Sequence, residues 1–269
     1  TSPGNNFSIN SDSSLTVQCT NSSGNQIAYF LDCPSGTRRL TSGKTTSTSY
    51  TWTKEQILSM LQYSPNSNSI SIKVGIITEY YSEKVGTLNV VNSNPTFSNF
   101  VYEDINSKTI ALTGNNQYII KGYSNVRATI ATANKAVAKN YASMSKYRFV
   151  IASSQVDVNY SSTANVQTTI NAVKSNIFTM YAIDSRGNSS LKQISPSRYI
   201  DYTAITLNKV EVIRENGIGS ISTLTFNGSI WEGSFGAVLN EIKSCTYRYK
   251  ETTSNTWKTG TTNLNPTRN

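Results

Sequence analysis

The side chains that most often perform hydrolytic or redox chemistry are sparse in this sequence. The chain of 269 residues contains no histidine, so it cannot supply a Ser-His-Asp or Cys-His nucleophilic site. Its three cysteines, Cys19, Cys33 and Cys245, show no C-x-x-C spacing for a metal or a redox pair. Cys19 and Cys33 share the strand parity of neighbouring apolar residues, which predicts buried thiols and no disulfide.

Carboxylate pairs, the groups that cleave glycosidic bonds, are also poorly placed. Glu103 and Asp104 are adjacent, so on a strand their side chains would point to opposite faces, whereas glycosidases need two carboxyl groups around one bond. We interpret both as solvated turn charges. The Gly-Ile-Gly segment at 217–219 lacks the lysine and the following helix of a phosphate loop and predicts a hairpin turn. The sequence thus predicts a protein that is not an enzyme and has no cofactor and no metal site.

Positive charge is the first feature that could bind a ligand. The net charge is +9, and residues 93–203 hold eleven basic against five acidic residues. Four cations lie within the segment 132–145 or directly after it. We interpret this segment as an exposed loop because its apolar spacing is not helical. They predict salt-sensitive contacts to an anionic cell-wall polymer such as teichoic acid, although an ordinary solvated face is the alternative that we rank first. The candidate contacts are Lys135, Lys139, Lys146 and Arg148.

Aromatic residues at predicted turns and strand ends are a second candidate for binding. Aromatic rings stack on sugars, which suggests a carbohydrate site, but sandwich domains commonly carry tyrosine at such positions for structural reasons. The residues concerned are Tyr80, Tyr81, Tyr141, Tyr199, Tyr202 and Trp231. Because no groove-reading motif is present and no apolar run approaches the ~20 residues of a membrane helix, neither nucleic acid binding nor membrane insertion is expected.

Strands must position these residues, because period-two alternation dominates the chain. Residues 70–76 alternate strictly, which indicates a sheet with one buried face. A capping box at Thr53-Lys-Glu-Gln56 predicts a short helix that plugs the edge or end of a sandwich. Residues 1–92 are predicted to form one Ig-like β-sandwich. Its predicted strands are Leu15–Thr20, Gln26–Cys33, Thr37–Leu40, Ser47–Trp52, Ser69–Tyr80 and Val85–Val91.

A second Ig-like sandwich is predicted for residues 95–203, after Pro95 interrupts the strand pattern. Its last predicted strand runs into Asp184-Ser-Arg-Gly-Asn188, where Gly187 can adopt a positive φ and Asp184 and Asn188 can bond the turn backbone. Such a hairpin is typical of antiparallel sandwiches. The predicted strands are Thr96–Tyr102, Ser107–Leu112, Asn125–Thr132, Lys146–Ala152, Ser154–Asn159, Thr168–Ala172 and Ile177–Ile183.

Residues 204–269, beyond a second break at Pro196, predict part of a third, fibronectin-like module. These 66 residues fall short of the roughly 100 that such a sandwich uses, so its remaining strands lie outside the sequence or come from elsewhere. The predicted fold class is all-β: tandem antiparallel β-sandwiches of the Ig-like or fibronectin III-like type, elongated, with short junctions that suit a spacer. The predicted strands are Thr206–Arg214, Ser220–Trp231, Ile242–Tyr249 and Thr256–Thr259.

Three segments, TGNNQYII at 113–120, TANKAVAK at 132–139 and YAIDSRGN at 181–188, give the sequence its resemblance to a family. In this order, and with TWTKEQI at 51–57, they resemble the minor structural proteins of siphoviruses that infect Gram-positive bacteria. The resemblance implies a virion component of the tail, baseplate or fibre, with other virion proteins as partners, and it implies no functional residues. The alternatives are a host-receptor-binding adhesin that grips cell-wall carbohydrate or teichoic acid, a bacterial surface adhesin and, last, a lytic enzyme.

Overall fold

Alternating apolar residues fold into strands in every part of the chain that the structure, a computed structural model, describes: residues 2–21, 23–33, 38–262 and 267–268. The described segments contain many strands in several sheets and two short α-helices, so the chain is all-β. It consists of tandem antiparallel sandwiches of the Ig-like and fibronectin-like type. Neither of these helices has the length and hydrophobicity that crossing a bilayer requires.

The first sandwich occupies the N-terminal part of the chain. Its elements are β1 (Phe7–Asn10), β2 (Leu15–Gln18), β3 (Ala28–Cys33), β4 (Arg38–Thr41), β5 (Ser49–Trp52), α1 (Lys54–Ser59), β6 (Ser69–Ile77) and β7 (Tyr81–Asn89). One sheet has the order β1-β7-β6-β3-β4, and β2 pairs with β5 in the other. The core contains Val17 and Trp52 from the smaller sheet and Leu31, Ile72 and Val74 from the larger one. The strand predicted at Thr37–Leu40 corresponds to β4, and its first residue, Thr37, lies outside the described residues.

The capping box confirms the predicted helix. The backbone N–H of Thr53 donates to Gln56 Oε1 at 2.9 Å, and the Gln56 N–H donates to Thr53 Oγ1 at 3.3 Å, so two otherwise unpaired N–H groups at the helix start are satisfied. Helix α1 and the 3₁₀ turn that follows bury Ile57, Met60 and Leu61 in the core of the sandwich. The helix therefore contributes to the core as well as covering it.

The cysteines are reduced thiols, as the sequence predicts. Cys33 is fully buried in the first core, whereas Cys19 is only half-buried and lies at its margin. The Cys19 Sγ is 3.3 Å from Tyr29 Oη, and burial raises the pKa of the Tyr29 phenol. The prediction of burial is therefore right for Cys33 and only partly right for Cys19, because Cys19 follows the end of its strand.

The central part of the chain supplies a further set of elements. They are β8 (Val101–Asp104), α2 (Ser107–Thr113), β9 (Tyr118–Ile120), β10 (Val126–Ile130), β11 (Met144–Ile151), β12 (Ser154–Asn159), β13 (Val166–Ile170), β14 (Phe178–Asp184), β15 (Ser189–Ile194) and β16 (Arg198–Ile200). The sheets have the orders β13-β10-β8 and β12-β11-β14-β15, and β16 pairs with β9 in parallel. Strand β14 is thus paired on both edges.

The predicted strand at Ser107–Leu112 is wrong, because this segment is helix α2. The Asn106 side chain caps it by accepting the Lys108 N–H at 3.0 Å, and Gly114 ends it in the left-handed conformation at a φ of 68°. Thr109 and Thr113 are buried at the i, i+4 spacing of one helix face. The capping residues favour a helix here, and they outweigh the weak period-two pattern.

The C-terminal part of the chain forms small sheets. Its strands are β17 (Thr206–Arg214), β18 (Ser222–Ile230), β19 (Cys245–Tyr249), β20 (Lys258–Thr262) and β21 (Thr267–Arg268). One sheet has the order β17-β18-β21, and β19 pairs with β20. The boundaries predicted for β17 are confirmed. Most side chains of β17 and β18 are exposed, in contrast to those of the central strand β14.

Close contacts divide the chain into two compact units. The first unit comprises Thr1–Val101, Ala128–Thr168 and Phe178–Ile194, and the second comprises Tyr102–Arg127, Thr169–Ile177 and Ser195–Asn269. The domain limits predicted from the sequence, 1–92, 95–203 and 204–269, stay a prediction, because a compact unit can hold parts of more than one sandwich.

Candidate functional site

The turn between β14 and β15 is held by one carboxylate. Asp184 Oδ1 accepts the backbone N–H groups of Arg186 and Asn188, each at 2.9 Å, and Asp184 Oδ2 accepts Asn188 Nδ2 at 2.9 Å. Gly187 has a φ of 87°, a conformation that is nearly free of strain only for glycine. The predicted tight turn is confirmed, with Asp184 bonding its backbone, whereas the prediction is wrong for Asn188, whose side chain donates to the Asp184 carboxylate and not to the turn backbone. A second consequence of this geometry is that the Arg186 side chain is held at a defined position.

The Arg186 guanidinium joins two distant parts of the first unit. Its side chain donates to three backbone carbonyls: Nε to Ser67 at 3.0 Å, Nη1 to Asn140 at 2.7 Å, and Nη2 to Ser64 at 3.3 Å. Ser64 and Ser67 follow the helical segment of the first sandwich, whereas Asn140 lies in the loop before β11. Only 9% of Arg186 is exposed. We call this set of residues, Ser64–Ser67, Asn140 and Asp184–Asn188, the junction.

Two further side chains strengthen the junction. The Ser185 hydroxyl donates to the Pro65 carbonyl at 2.6 Å. Asn140 has a positive φ of 50°, and its Nδ2 donates to the Val91 carbonyl at 2.8 Å, where the first sandwich ends. The segment after the first sandwich is therefore fixed by side chains from the loop before β11. These bonds link the first sandwich to the loop before β11 and to the β14–β15 turn through backbone groups, so they constrain the chain path and not only the side chains.

Burial determines the electrostatics of the junction. Desolvation lowers the pKa of Arg186, while the nearby Asp184 carboxylate acts in the opposite direction. A guanidinium keeps its proton even so, because its ordinary pKa lies above 12. A buried cation is tolerated only when its donors are satisfied, and three carbonyls do this here. The sequence shows a turn at this position but carries no signal that Arg186 reaches another sandwich.

The predicted basic cluster is partly neutralised within the chain. Lys146 Nζ is 2.6 Å from Asp157 Oδ2, and Arg148 Nε is 2.7 Å from Asp157 Oδ1. Strand register explains the contact, since Arg148 on β11 lies directly opposite Asp157 on β12. The two cations hold the pKa of the Asp157 carboxyl well below its usual range, with the Arg148 hydrogen bond as the largest cause. The structure therefore brings Lys146 and Arg148 together, but with one of their charges balanced.

The other two predicted contacts lie apart from this ion pair. Lys135 is half-buried, with its Nζ 5.8 Å from the centre of the Tyr160 ring, whereas Lys139 is exposed. The loop that holds them contains a 3₁₀ turn at Thr132–Asn134, and its Ala136 is buried with its N–H donating to Tyr147 Oη at 2.9 Å. The loop prediction is thus correct on secondary structure and wrong on full exposure. A polymer-binding role for the four cations stays a prediction.

The aromatic candidates fall into two groups. Tyr80, Tyr81 and Tyr141 are exposed, and Tyr80 most of all at 82%. The other three, Tyr199, Tyr202 and Trp231, are half-buried. Tyr202 and Trp231 pack against a small core of the second unit formed by Ile120, Ile200 and Phe235. These three rings are therefore not fully exposed, and for Tyr202 and Trp231 the reason is that apolar residues of this small core cover them.

The adjacent carboxylates have structural partners. Glu103 Oε1 is 2.7 Å from Arg127 Nη2, a half-exposed ion pair. Asp104 is buried, and its Oδ1 accepts the backbone N–H groups of Asn106 and Asn125, each at 3.0 Å. The interpretation of both as solvated turn charges is thus wrong for Asp104, which organises the start of α2. Within the described residues, no three potential metal-ligating side chains come together.

Comparisons with known proteins identify related folds only. No protein-family model matches the chain, and neither does any curated protein. A 1.5-MDa bacterial ice-binding adhesin is similar over 76% of this chain and 65% of the adhesin structure, with 12% identity and a TM-score of 0.30. Fibronectin(III)-like modules of CbhA from Clostridium thermocellum are similar over 74% of this chain and 92% of theirs, with 11% identity and a TM-score of 0.28.

A third similar structure contains the eight N-terminal Ig domains of Down Syndrome Cell Adhesion Molecule. It matches 92% of this chain and 34% of its own length, with 8% identity and a TM-score of 0.33. This chain spans less than two thirds of the length of the adhesin and of this molecule. Similarity at this level concerns the sandwich class and transfers no activity or partner to this chain.

Proposed function

We propose that this chain is a non-enzymatic structural protein whose sandwiches act as a stiff spacer or joint in a larger extracellular assembly. The observation that carries the proposal is the buried Arg186, which donates to carbonyls of two sandwich regions at once. A flexible linker would leave these carbonyls to water, whereas here the protein itself satisfies them. Fixed geometry between neighbouring sandwiches is what a load-transmitting or distance-setting component needs.

The specific assembly that we propose is the virion of a phage that infects Gram-positive bacteria, in its tail, baseplate or fibre. The support is the sequence resemblance carried by the segments at 51–57, 113–120, 132–139 and 181–188. Two of these segments contain junction residues or border them: the last includes Arg186, and the third ends one residue before Asn140. Other virion proteins are the partners that this proposal requires.

Hydrogen exchange measured by mass spectrometry tests the joint. In the intact chain, peptides covering 61–68 and 138–144 should contain protected amides, because the N–H groups of Ser64 and Ala142 donate to the carbonyls of Leu61 and Lys139. Arg186→Ala should accelerate exchange in both peptides, because each loses a fixed contact. The matched control is Arg148→Ala, which removes an arginine that bonds only its neighbouring strand. Rapid exchange at both segments in the unmodified chain would contradict the joint.

The second candidate function is a host-surface adhesin. It is favoured by the exposed Lys139 and by Tyr141, exposed two residues later in the same loop. A cation beside an aromatic ring is a combination that binds anionic glycopolymers, through charge for the phosphates and stacking for the sugars.

Binding of fluorescently tagged 1–269 to a panel of intact Gram-positive cells, at low and high salt, separates the two functions. If the chain is a spacer, it should bind no bacterial strain of the panel specifically. An adhesin should bind a few strains, lose affinity with salt, and lose it again in Lys139→Ala with Tyr141→Ala. Lys192→Ala, which removes an exposed lysine elsewhere in the first unit, is the control and should bind as the parent does.

A further inference from the structure

The strand β17 has an open edge in the part of the chain that the structure describes. It is nine residues long and is the terminal strand in the order β17-β18-β21, so it has a strand neighbour on one side only. Its apolar side chains are exposed, with Val210 at 52% and Val212 at 64%. A long, apolar edge strand offers unpaired N–H and C=O groups to any strand of matching sequence.

The charges of β17 are arranged symmetrically about Val210. Lys209 precedes it and Glu211 follows it, and within one chain Lys209 Nζ is 2.8 Å from Glu211 Oε2. In an antiparallel pair of identical strands centred on Val210, Lys209 of each copy lies directly opposite Glu211 of the other. Opposite charges placed across strands in this way are stabilising. Val210 of each copy lies opposite its counterpart on the other face.

We propose that two copies of this chain associate through β17, pairing antiparallel about a two-fold axis at Val210. The result is a continuous sheet across the dimer, with four charges in two Lys209–Glu211 cross-strand pairs on one face. On the other face Val210 lies opposite Val210, and Val212 of each copy lies opposite Asn208 of the other. Such an interface is isologous, since the same residues contribute from both copies. The inference is independent of the proposed spacer function, because it concerns only the β17 edge.

The same charges exclude the neighbouring registers. A two-fold axis moved by one residue to Lys209 places the two lysines opposite one another, and an axis at Glu211 places the two glutamates opposite one another. Like charges directly opposite are destabilising, so the pair at Val210 is the favoured two-fold register.

Charge reversal tests both the interface and its register. Light scattering after size exclusion of the 1–269 chain should give a mass that rises with concentration towards twice the 29.5 kDa of one chain. Lys209→Glu makes both cross-strand pairs Glu–Glu, and Glu211→Lys makes both Lys–Lys, so each variant alone should dimerise about tenfold or more weakly. The double variant Lys209→Glu with Glu211→Lys restores opposite charges and should dimerise as the parent does.

Mixing the two single variants gives a sharper result. One copy then carries two glutamates and the other two lysines, so the mixture should form a heterodimer that neither variant forms with itself. Native mass spectrometry distinguishes the three possible dimers if one variant carries a tag. Both substitutions are at solvent-accessible side chains, and circular dichroism checks that each variant is folded.

Two results would overturn the proposal. A monomeric mass at every concentration would exclude self-pairing and leave the edge to a strand from another protein. A dimer of equal strength in the parent and in Lys209→Glu would place the interface on another surface. Restoration in the double variant and in the mixture depends on the register itself, so a simple folding defect cannot imitate it.

Discussion

Two hairpins of this protein share their local chemistry and differ in nearly everything else. The β14–β15 hairpin turns at Gly187 with a φ of 87°, and the β17–β18 hairpin turns at Gly217 with a φ of 76°. Both are antiparallel pairs in which apolar and polar residues mix. Yet Phe178 in β14 is completely buried, whereas Val212 in β17 is 64% exposed. Turn residues specify that a hairpin forms, and they say nothing about what covers it.

The turns themselves show the same contrast. At Arg186 the turn reaches outward and donates to carbonyls of other segments, so the hairpin is tied to its unit. Between β17 and β18 the turn is bonded to itself, with the N–H groups of Ile218 and Gly219 donating to the Glu215 carbonyl at 3.3 and 2.8 Å. A turn with only local bonds leaves the stability of its hairpin to the strands, and among the described strands β17 has only β18 as a neighbour.

The largest difference is expected from truncating one apolar side chain in each hairpin, buried in the first and exposed in the second. Phe178→Ala should destabilise the first unit by about 4 kcal/mol, because a buried aromatic ring leaves a cavity. Val212→Ala should change the free energy of unfolding by less than about 0.5 kcal/mol, as surface substitutions do. Urea unfolding of both variants and the parent provides the measurement. Equal losses would mean that β17 is covered in solution.

The next effect concerns Arg186. Arg186→Ala should cost about 3 kcal/mol, because three half-buried carbonyls lose a charged donor at once. Arg148→Ala, which breaks a half-exposed ion pair, should cost less than about 1 kcal/mol. Hydrogen exchange of the slowest amides in β11 and β14 reports these values for the first unit alone. If both substitutions lowered the free energy of unfolding by the same small amount, Arg186 would contribute no more than an arginine in a surface ion pair.

Substitution of the two turn glycines should give a smaller effect. Gly187→Ala and Gly217→Ala each place a β-carbon at a positive φ, which costs about 1–2 kcal/mol locally. Because the β14–β15 turn belongs to the first unit, only Gly187→Ala should accelerate exchange at residues 64–67. Exchange at that segment in Gly217→Ala is the control and should equal that of the parent.

The smallest effect is the pH dependence of the Asp157 contact. Its carboxyl has a lowered pKa in the folded chain, so it binds protons less readily there than in the unfolded chain. The stabilisation is therefore complete above the unfolded pKa of about 4 and is lost as the pH falls through the folded value. The melting temperatures of the parent and of Asp157→Asn should differ by a constant amount from pH 7 to pH 5 and converge below pH 4. A gap that persists in strong acid would contradict an ionic origin.

Much of the fold could be predicted because alternation and capping are local signals. The β12 and β17 boundaries and the Thr53–Gln56 capping box are all confirmed. The sequence does not predict the strands β9 and β16, because each has only three residues, too few to show alternation. The segment predicted as a strand at 107–112 is a helix that Asn106 and Gly114 cap. Single capping residues are harder to recognise in a sequence than a long periodic pattern.

The candidate sites could be predicted less well, because a site depends on which surfaces meet. The sequence placed Lys146 and Arg148 near one another, but it could not show that β12 presents Asp157 to both. It found the turn at 184–188 without the role of Arg186, since the carbonyl acceptors lie more than a hundred residues earlier at Ser64 and Ser67. These acceptors are backbone carbonyls, which every residue has, so no pattern of side chains reveals them.

The sequence by itself determined the all-β class, the positions of many strands and the residues available for turns and caps. These follow from side-chain periodicity and from the backbone preferences of glycine, asparagine and the capping residues, which act over a few positions. The tertiary structure alone decided which hairpin is buried, which cations are paired and where a buried guanidinium joins two sandwiches. These depend on burial and on hydrogen bonds between distant segments, whose energies exist only once the sheets have packed.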